Sequence, residues 1–90
     1  MATRTTEEVL KKMGLRIQEL RRQRGHTQES LAAELNMLPP NYARIEQGRS
    51  NVTVDTLVRI TNALDVGLAE VFVDPTVPAP KPGRPQKARP

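Results

Sequence analysis

An all-α fold is predicted, a five-helix body followed by a Pro-rich tail, and three observations predict it. Apolar residues recur three or four positions apart in successive windows, and no window alternates as a strand would. Helix caps and stops bracket each window. Six of the eight prolines fall in Pro75–Pro90, which confines the regular structure to about residues 5–73. The segment PTVPAPKPGRPQKARP reads as extended, polyproline-II-like or disordered chain, because proline fixes φ and offers no N–H. Residues 74–90 are therefore expected to be a basic tail rather than part of the core.

The elements follow in order. Thr5 and Glu8 stand at capping-box spacing, and Leu10, Met13, Ile17 and Leu20 then share one helical face. Arg21, Arg22 and Arg24 suit a helix C-terminus, and Gly25 stops the helix. Thr27 caps the second helix, with Leu31, Ala32 and Leu35 inward and Asn36 at its end. The third runs from Pro39 or Pro40 to Gln47, with Tyr42 and Ile45 inward and Gly48 as its stop. Pro39 precedes another proline, which disfavours the α conformation there and points to Pro39 as the cap position. Thr53 caps a fourth helix that buries Leu57, Ile60 and Leu64. A short fifth runs from Leu68 to about Val73.

Composition excludes several functions. There is no Cys and a single His, His26, so disulfides and metal sites are not expected. No Gly-rich phosphate loop or paired carboxylates accompany them, so an enzyme is not expected and no residue is assigned a catalytic role. No apolar run approaches the ~20 residues of a membrane span, and no apolar leader segment is visible. A cytoplasmic, nucleoid-associated protein is expected. No cofactor or small-molecule ligand is expected either. The net charge of +4 is uneven. Arg4–Arg24 and the tail are basic, whereas residues 25–73 are mildly acidic, which suits a limited positive face and an anionic partner.

The spacing between the second and third helices is the informative feature. A helix over Gln28–Leu35, a turn at Asn36-Met37-Leu38 and a helix over Pro39–Gln47 give a helix-turn-helix layout. By spacing alone, an ordinary helical hairpin fits equally well. The decisive signal is the order of motifs: Gly14-x-x-Ile17, Thr27-Gln28-Glu29-x-Leu31-Ala32, Ile45-Glu46-x-Gly48, and Leu64-Asp65-Val66 before Phe72. Over about residues 10–73 the chain closely resembles the phage-repressor/Cro-type, or XRE-like, helix-turn-helix family. The stretch Gly48–Thr53 also resembles the small controller proteins of restriction–modification systems.

The resemblance implies a sequence-specific regulator bound to double-stranded DNA, with the third helix in the major groove. Gln28 matches a glutamine that meets a phosphate. Pro39, Pro40, Asn41, Arg44 and Gln47 match the groove-facing positions, and Arg49, Ser50 and Asn51 the loop that touches the backbone. Arg44 has the fork needed for guanine O6 and N7; a solvated helix charge is its alternative reading. For Asn51 the alternative is a turn residue bonding its own backbone. Glu46 matches a glutamate paired with an arginine on the first helix, here Arg21, so its implied role is structural. The Pro39-Pro40 pair departs from the family pattern, which places polar readers there, and shifts expected readout toward Asn41, Arg44 and Gln47. One such helix covers few base pairs, so a homodimer on a near-palindrome is implied, with Leu68, Val71, Phe72 and Val73 as the dimer patch. Phe72 is also expected to help close the monomer core. Repression by promoter occlusion is the default mechanism. An interaction module or antitoxin-like partner with weakened base readout is the alternative. In the tail, Gly83-Arg84-Pro85 resembles the core of a minor-groove-binding AT-hook, with Pro82 where the fuller motif has arginine; a solvated basic tail is the alternative.

Overall fold

The computed structural model describes residues 4–76. Four helices, α1 (Thr6–Gln23), α2 (Gln28–Glu34), α3 (Pro39–Glu46) and α4 (Val54–Leu64), are followed by a 3-10 turn at Leu68–Phe72. The described residues contain no strand, and none of their helices is long and apolar enough to cross a membrane. The expected fifth α-helix is thus a 3-10 segment of five residues, flanked by extended Gly67 and Val73 and lacking a side-chain cap. A segment this short closes few α-type hydrogen bonds, so the tighter turn suffices.

The caps are local chemistry. Thr5 Oγ1 accepts the Glu8 N–H and Glu8 Oε1 accepts the Thr5 N–H, both at 3.1 Å. Thr27 forms the same reciprocal pair with Ser30, a hydroxyl standing in for the usual carboxylate, at 2.9 and 3.0 Å. Thr53 caps α4 by accepting the Thr56 N–H. Asn36 ends α2 and Asp65 ends α4 in the left-handed region, at φ 60° and 58°.

One aliphatic core joins the elements: Met13, Ile17 and Leu20 of α1, Leu31 and Ala32 of α2 with Leu35, Tyr42 and Ile45 of α3, Leu57, Ile60 and Leu64 of α4, and Val71. Val71 is 1% exposed whereas Phe72 is 59% exposed. This corrects two expectations: Val71 closes the core and is unavailable to a dimer patch, and Phe72 does not help close it. In a 3-10 turn neighbouring side chains point in different directions, so only one of this pair can face inward.

Two glycines set α1 across the end of α3. A methyl group at Gly14 would lie 2.4 Å from the Glu46 carbonyl oxygen and 2.7 Å from that of Ile45. At Gly48 (φ +73°) a Cβ would lie 2.8 Å from Lys11 Cα. Only bare backbone allows both approaches.

The chain after the 3-10 turn is strapped to α1. Buried Arg16 donates from Nε to the Glu70 carbonyl at 2.8 Å, from Nη1 to Glu19 at 2.8 Å and from Nη2 to the Glu70 carboxylate at 2.7 Å. Glu19 in turn accepts the Thr76 N–H at 3.1 Å and the Thr76 hydroxyl. Contacts to α1 therefore continue beyond residue 73 to Thr76. The minor-groove motif expected around Arg84 lies outside the described residues.

Candidate nucleic-acid interface

The α2–α3 unit is built around a three-residue turn. Asn36 reverses the chain in left-handed geometry, and the Met37 N–H donates to the Ala32 carbonyl at 2.9 Å. Ala32 is fully buried. Leu38 is the cap residue of α3, extended at φ −71° and ψ 137°, and Pro39 and Pro40 occupy the first turn. This corrects the expectation that Pro39 is the cap. The residue before a proline favours extended backbone, which Leu38 takes, and both missing N–H groups fall where a helix has no internal acceptor for them. The Leu38 carbonyl accepts from Asn41 and Tyr42 instead.

The pattern of α3 divides it into two sides. Tyr42, Ile45 and Glu46 are buried, while Pro39, Pro40, Asn41, Arg44 and Gln47 are exposed. The Arg49 N–H donates to the Arg44 carbonyl at 2.9 Å, so the loop carrying exposed Arg49, half-buried Ser50 and exposed Asn51 leaves directly from the end of that helix. Among the described residues, neither Arg44 nor Arg49 has a carboxylate within ion-pair distance. Both guanidinium groups are thus available to an external anion or base edge. Leu38, 68% exposed, adds an apolar tip beside the two prolines; the sequence reading passed over it because a turn residue carries no periodicity.

Behind that surface stands a buried polar hub. The Glu46 carboxylate is 4% exposed. Its Oε2 accepts from Arg21 Nε at 2.6 Å and from the Tyr42 hydroxyl, and its Oε1 from Arg21 Nη2 at 3.1 Å, Gln28 Nε2 at 2.9 Å and Gln18 Nε2 at 3.4 Å. Arg21 Nη1 donates to the His26 carbonyl at 2.8 Å. Burial pushes the Glu46 carboxyl up, but the donors Arg21, Tyr42 and Gln28 and the Arg21 charge outweigh it and hold the group below the ordinary carboxylate value. Hydrogen bonding to Glu46 likewise raises Arg21, and burial raises the Tyr42 hydroxyl. The Glu46–Arg21 pair is thus ionised at neutral pH, the Tyr42 hydroxyl keeps its proton, and the hub ties α1, α2 and α3 together. Gln28, expected at a phosphate, has its amide nitrogen turned into this hub. Tyr42 lies one helical turn before Glu46, a spacing legible in the sequence; Gln18 and Gln28 reach it only through the fold.

His26 Nδ1 lies 3.0 Å from Ser30 Oγ, and Nε2 lies 3.5 Å from Glu34. No group of His, Cys, Asp and Glu among the described residues would hold a metal ion. Leu68, Phe72 and Val73 are 38%, 59% and 47% exposed and form an apolar edge remote in sequence from α3.

With this geometry in hand, comparison with known proteins is specific. Residues 17–71 match the HTH_3 model, described as helix-turn-helix. The chain is 33% identical over 64 residues to control protein C.MunI of Mycoplasma sp, covering 70% of this chain and 86% of that protein. Among solved structures it resembles the restriction-modification controller protein C.AhdI from Aeromonas hydrophila, with a TM-score of 0.67 and 33% identity over 70% of this chain and 96% of that one. The clp gene regulator ClgR from C. glutamicum shares the fold, with a TM-score of 0.69 at 22% identity over 79% of this chain and 88% of that one.

Proposed function

The chain belongs to the HTH_3 helix-turn-helix family, and from that membership we propose how it reads DNA. It is a DNA-binding transcriptional regulator, and its partner is double-stranded DNA. The finer reading places the exposed side of α3 in the major groove. Arg44 meets a guanine edge, and Asn41 and Gln47 serve neighbouring bases or phosphates. Pro39, Pro40 and exposed Leu38 offer methyl-sized apolar contacts, suited to thymine, and donate nothing. Arg49, Ser50 and Asn51 follow the backbone, and at the opposite end of the unit half-buried Gln28 keeps the second hydrogen of Nε2 for a phosphate while the first holds Glu46.

The single observation that carries this reading is the division of α3. Its buried side is held by a carboxylate with five hydrogen bonds from four residues on three helices. Its opposite side presents Asn41, Arg44 and Gln47 to solvent. A rigid, pre-set reading face of this kind loses little entropy on binding.

Two copies joined through Leu68, Phe72 and Val73 would set two such faces on a near-palindromic operator. Occlusion of a promoter makes the protein a repressor. The likeness to C.MunI and C.AhdI supports a regulated gene beside a restriction–modification system, and the site of action is the cytoplasm, where the duplex is.

Selection of bound sites from random duplex DNA tests the reading. The expected product is a two-fold repeated motif with guanine under Arg44, and Arg44→Ala relaxes that position at a cost of about 1–3 kcal/mol. Recovery of no common motif, with the protein folded, refutes base readout and favours an interaction module.

A further inference from the structure

The strongly basic stretch of α1 is only partly used by the site described above. Between Arg4 and Arg24, Arg16 is occupied by Glu19 and Glu70, Arg21 by Glu46, and Lys12 faces Asp74 at 3.7 Å. Arg24 donates to the Asp65 carbonyl at 3.3 Å. Arg4, Lys11 and Arg22 are exposed and, among the described residues, have no carboxylate within ion-pair distance. At the helical period, Lys11, Gln18 and Arg22 fall on one face of α1.

This face borders the reading unit. Gln18, in the middle of the line, donates to Glu46 Oε1, the oxygen that also receives Gln28. Towards its start, the backbone and Cγ of Lys11 lie against Gly48, 2.8 and 2.9 Å from where a Cβ there would stand. Lys11 thus stands beside the loop that carries Arg49, and Arg22 lies one turn beyond the residue that shares a partner with Gln28. Glu46, which Gln18 touches, is already paired with Arg21, and the acids at helical spacing from Lys11 are Glu7 and Glu8. Glu8 is engaged with the Thr5 N–H, and Glu7 is exposed at the margin of the line.

We propose that this face of α1 is a second phosphate track. Lys11 meets the DNA backbone next to the segment held by Arg49–Asn51, and Arg22 meets it next to Gln28. The track carries no base information. It widens the electrostatic footprint beyond the helix-turn-helix and so raises affinity for any duplex. The inference rests on the reading of α3 as the groove-facing helix.

The test measures binding of the full chain to two duplexes, one of mixed sequence and one recovered by selection, across a salt series. Lys11→Gln and Arg22→Gln are each expected to reduce the slope of log affinity against log salt by about one, and the double variant by about two, equally on both duplexes. Base preference stays that of the unaltered chain. Lys12→Gln, a quarter-turn round the helix from Lys11 and facing Asp74 at 3.7 Å, leaves the slope unchanged. The charge-preserving pair Lys11→Arg and Arg22→Lys retains the original slope; if it loses slope as the glutamine variants do, charge is not the cause and the track is refuted. An unchanged slope in the glutamine double variant, while Arg44→Ala still weakens selected-site binding, overturns the track alone. If Arg44→Ala is also without effect, the reading of α3 fails with it.

Discussion

Glu46→Gln tests the structural centre of this protein. The substitution keeps the shape of the side chain and removes its charge. In the folded chain that charge faces Arg21 at 2.6 Å, and both residues are buried, at 4% and 6% exposure. A glutamine can accept at one oxygen only, so part of the set formed by Arg21, Tyr42, Gln28 and Gln18 loses its acceptor, and a buried guanidinium is left without a counter-charge. Breaking a buried pair from one side costs about 3–5 kcal/mol, a large part of the about 5–15 kcal/mol that holds a domain together. For a domain this small, the melting temperature should fall by roughly 12–40 °C. Thermal and urea unfolding measure it directly. Arg21→Met combined with Glu46→Met should be far less damaging than either change alone, because both charges then leave the interior together. The pH profile adds a second readout. The Glu46 carboxyl sits below its ordinary value of 4.5 in the folded chain, so the unfolded chain takes up the proton first as pH falls. Its contribution is therefore present at neutral pH and lost as pH falls below the ordinary value through the folded one. Glu46→Gln removes that part of the acid limb, and the gap between the two proteins narrows in acid. If Glu46→Gln abolished DNA binding while the melting curve stayed in place, the hub would be a contact surface and the structural reasoning would be wrong.

Three further outcomes are expected. Gly14→Ala gains about 1 kcal/mol of helix propensity but sets a methyl group 2.4 Å from the Glu46 carbonyl oxygen; overpacking of about 1–3 kcal/mol against backbone that cannot rotate away makes the variant less stable in urea. Phe72→Asp, at a 59% exposed position, should turn a dimer into a monomer in sedimentation with little change in melting, whereas Val71→Ala should cost about 2 kcal/mol of stability; a wild-type chain that sediments as a monomer at micromolar concentration refutes the dimer. Thr76→Val removes the hydroxyl that, with Arg16, holds the Glu19 carboxyl down, so the melting temperature should drop by roughly 5 °C near neutral pH and the difference should shrink in acid.

The local grammar of this chain was written in its residues. Thr5, Thr27 and Thr53 start helices because a side-chain oxygen three residues upstream of an orphan N–H needs no partner from elsewhere in the fold. The inward faces of α1, α3 and α4 follow from apolar spacing, and the turn after α2 from Asn36. Motif order was equally legible, since the helix-turn-helix family constrains residues at fixed separations along the chain. What the sequence left open were matters of distance between elements. The Arg21–Glu46 pairing was implied only through the family, and the convergence of Gln18 and Gln28 on the same oxygen depends on how closely α1 crosses α3, which bare backbone at Gly14 permits. The exchange of roles between Val71 and Phe72 turns on a single step of rotation in a segment too short to show a period. Thr76 reaches Glu19 across 57 positions of chain, a contact no local pattern encodes. Sequence alone determined the helices, their ends and the kind of fold; tertiary structure decided which polar groups are buried together and which apolar ones are left outside, because burial depends on what packs opposite and not on what stands next in the chain.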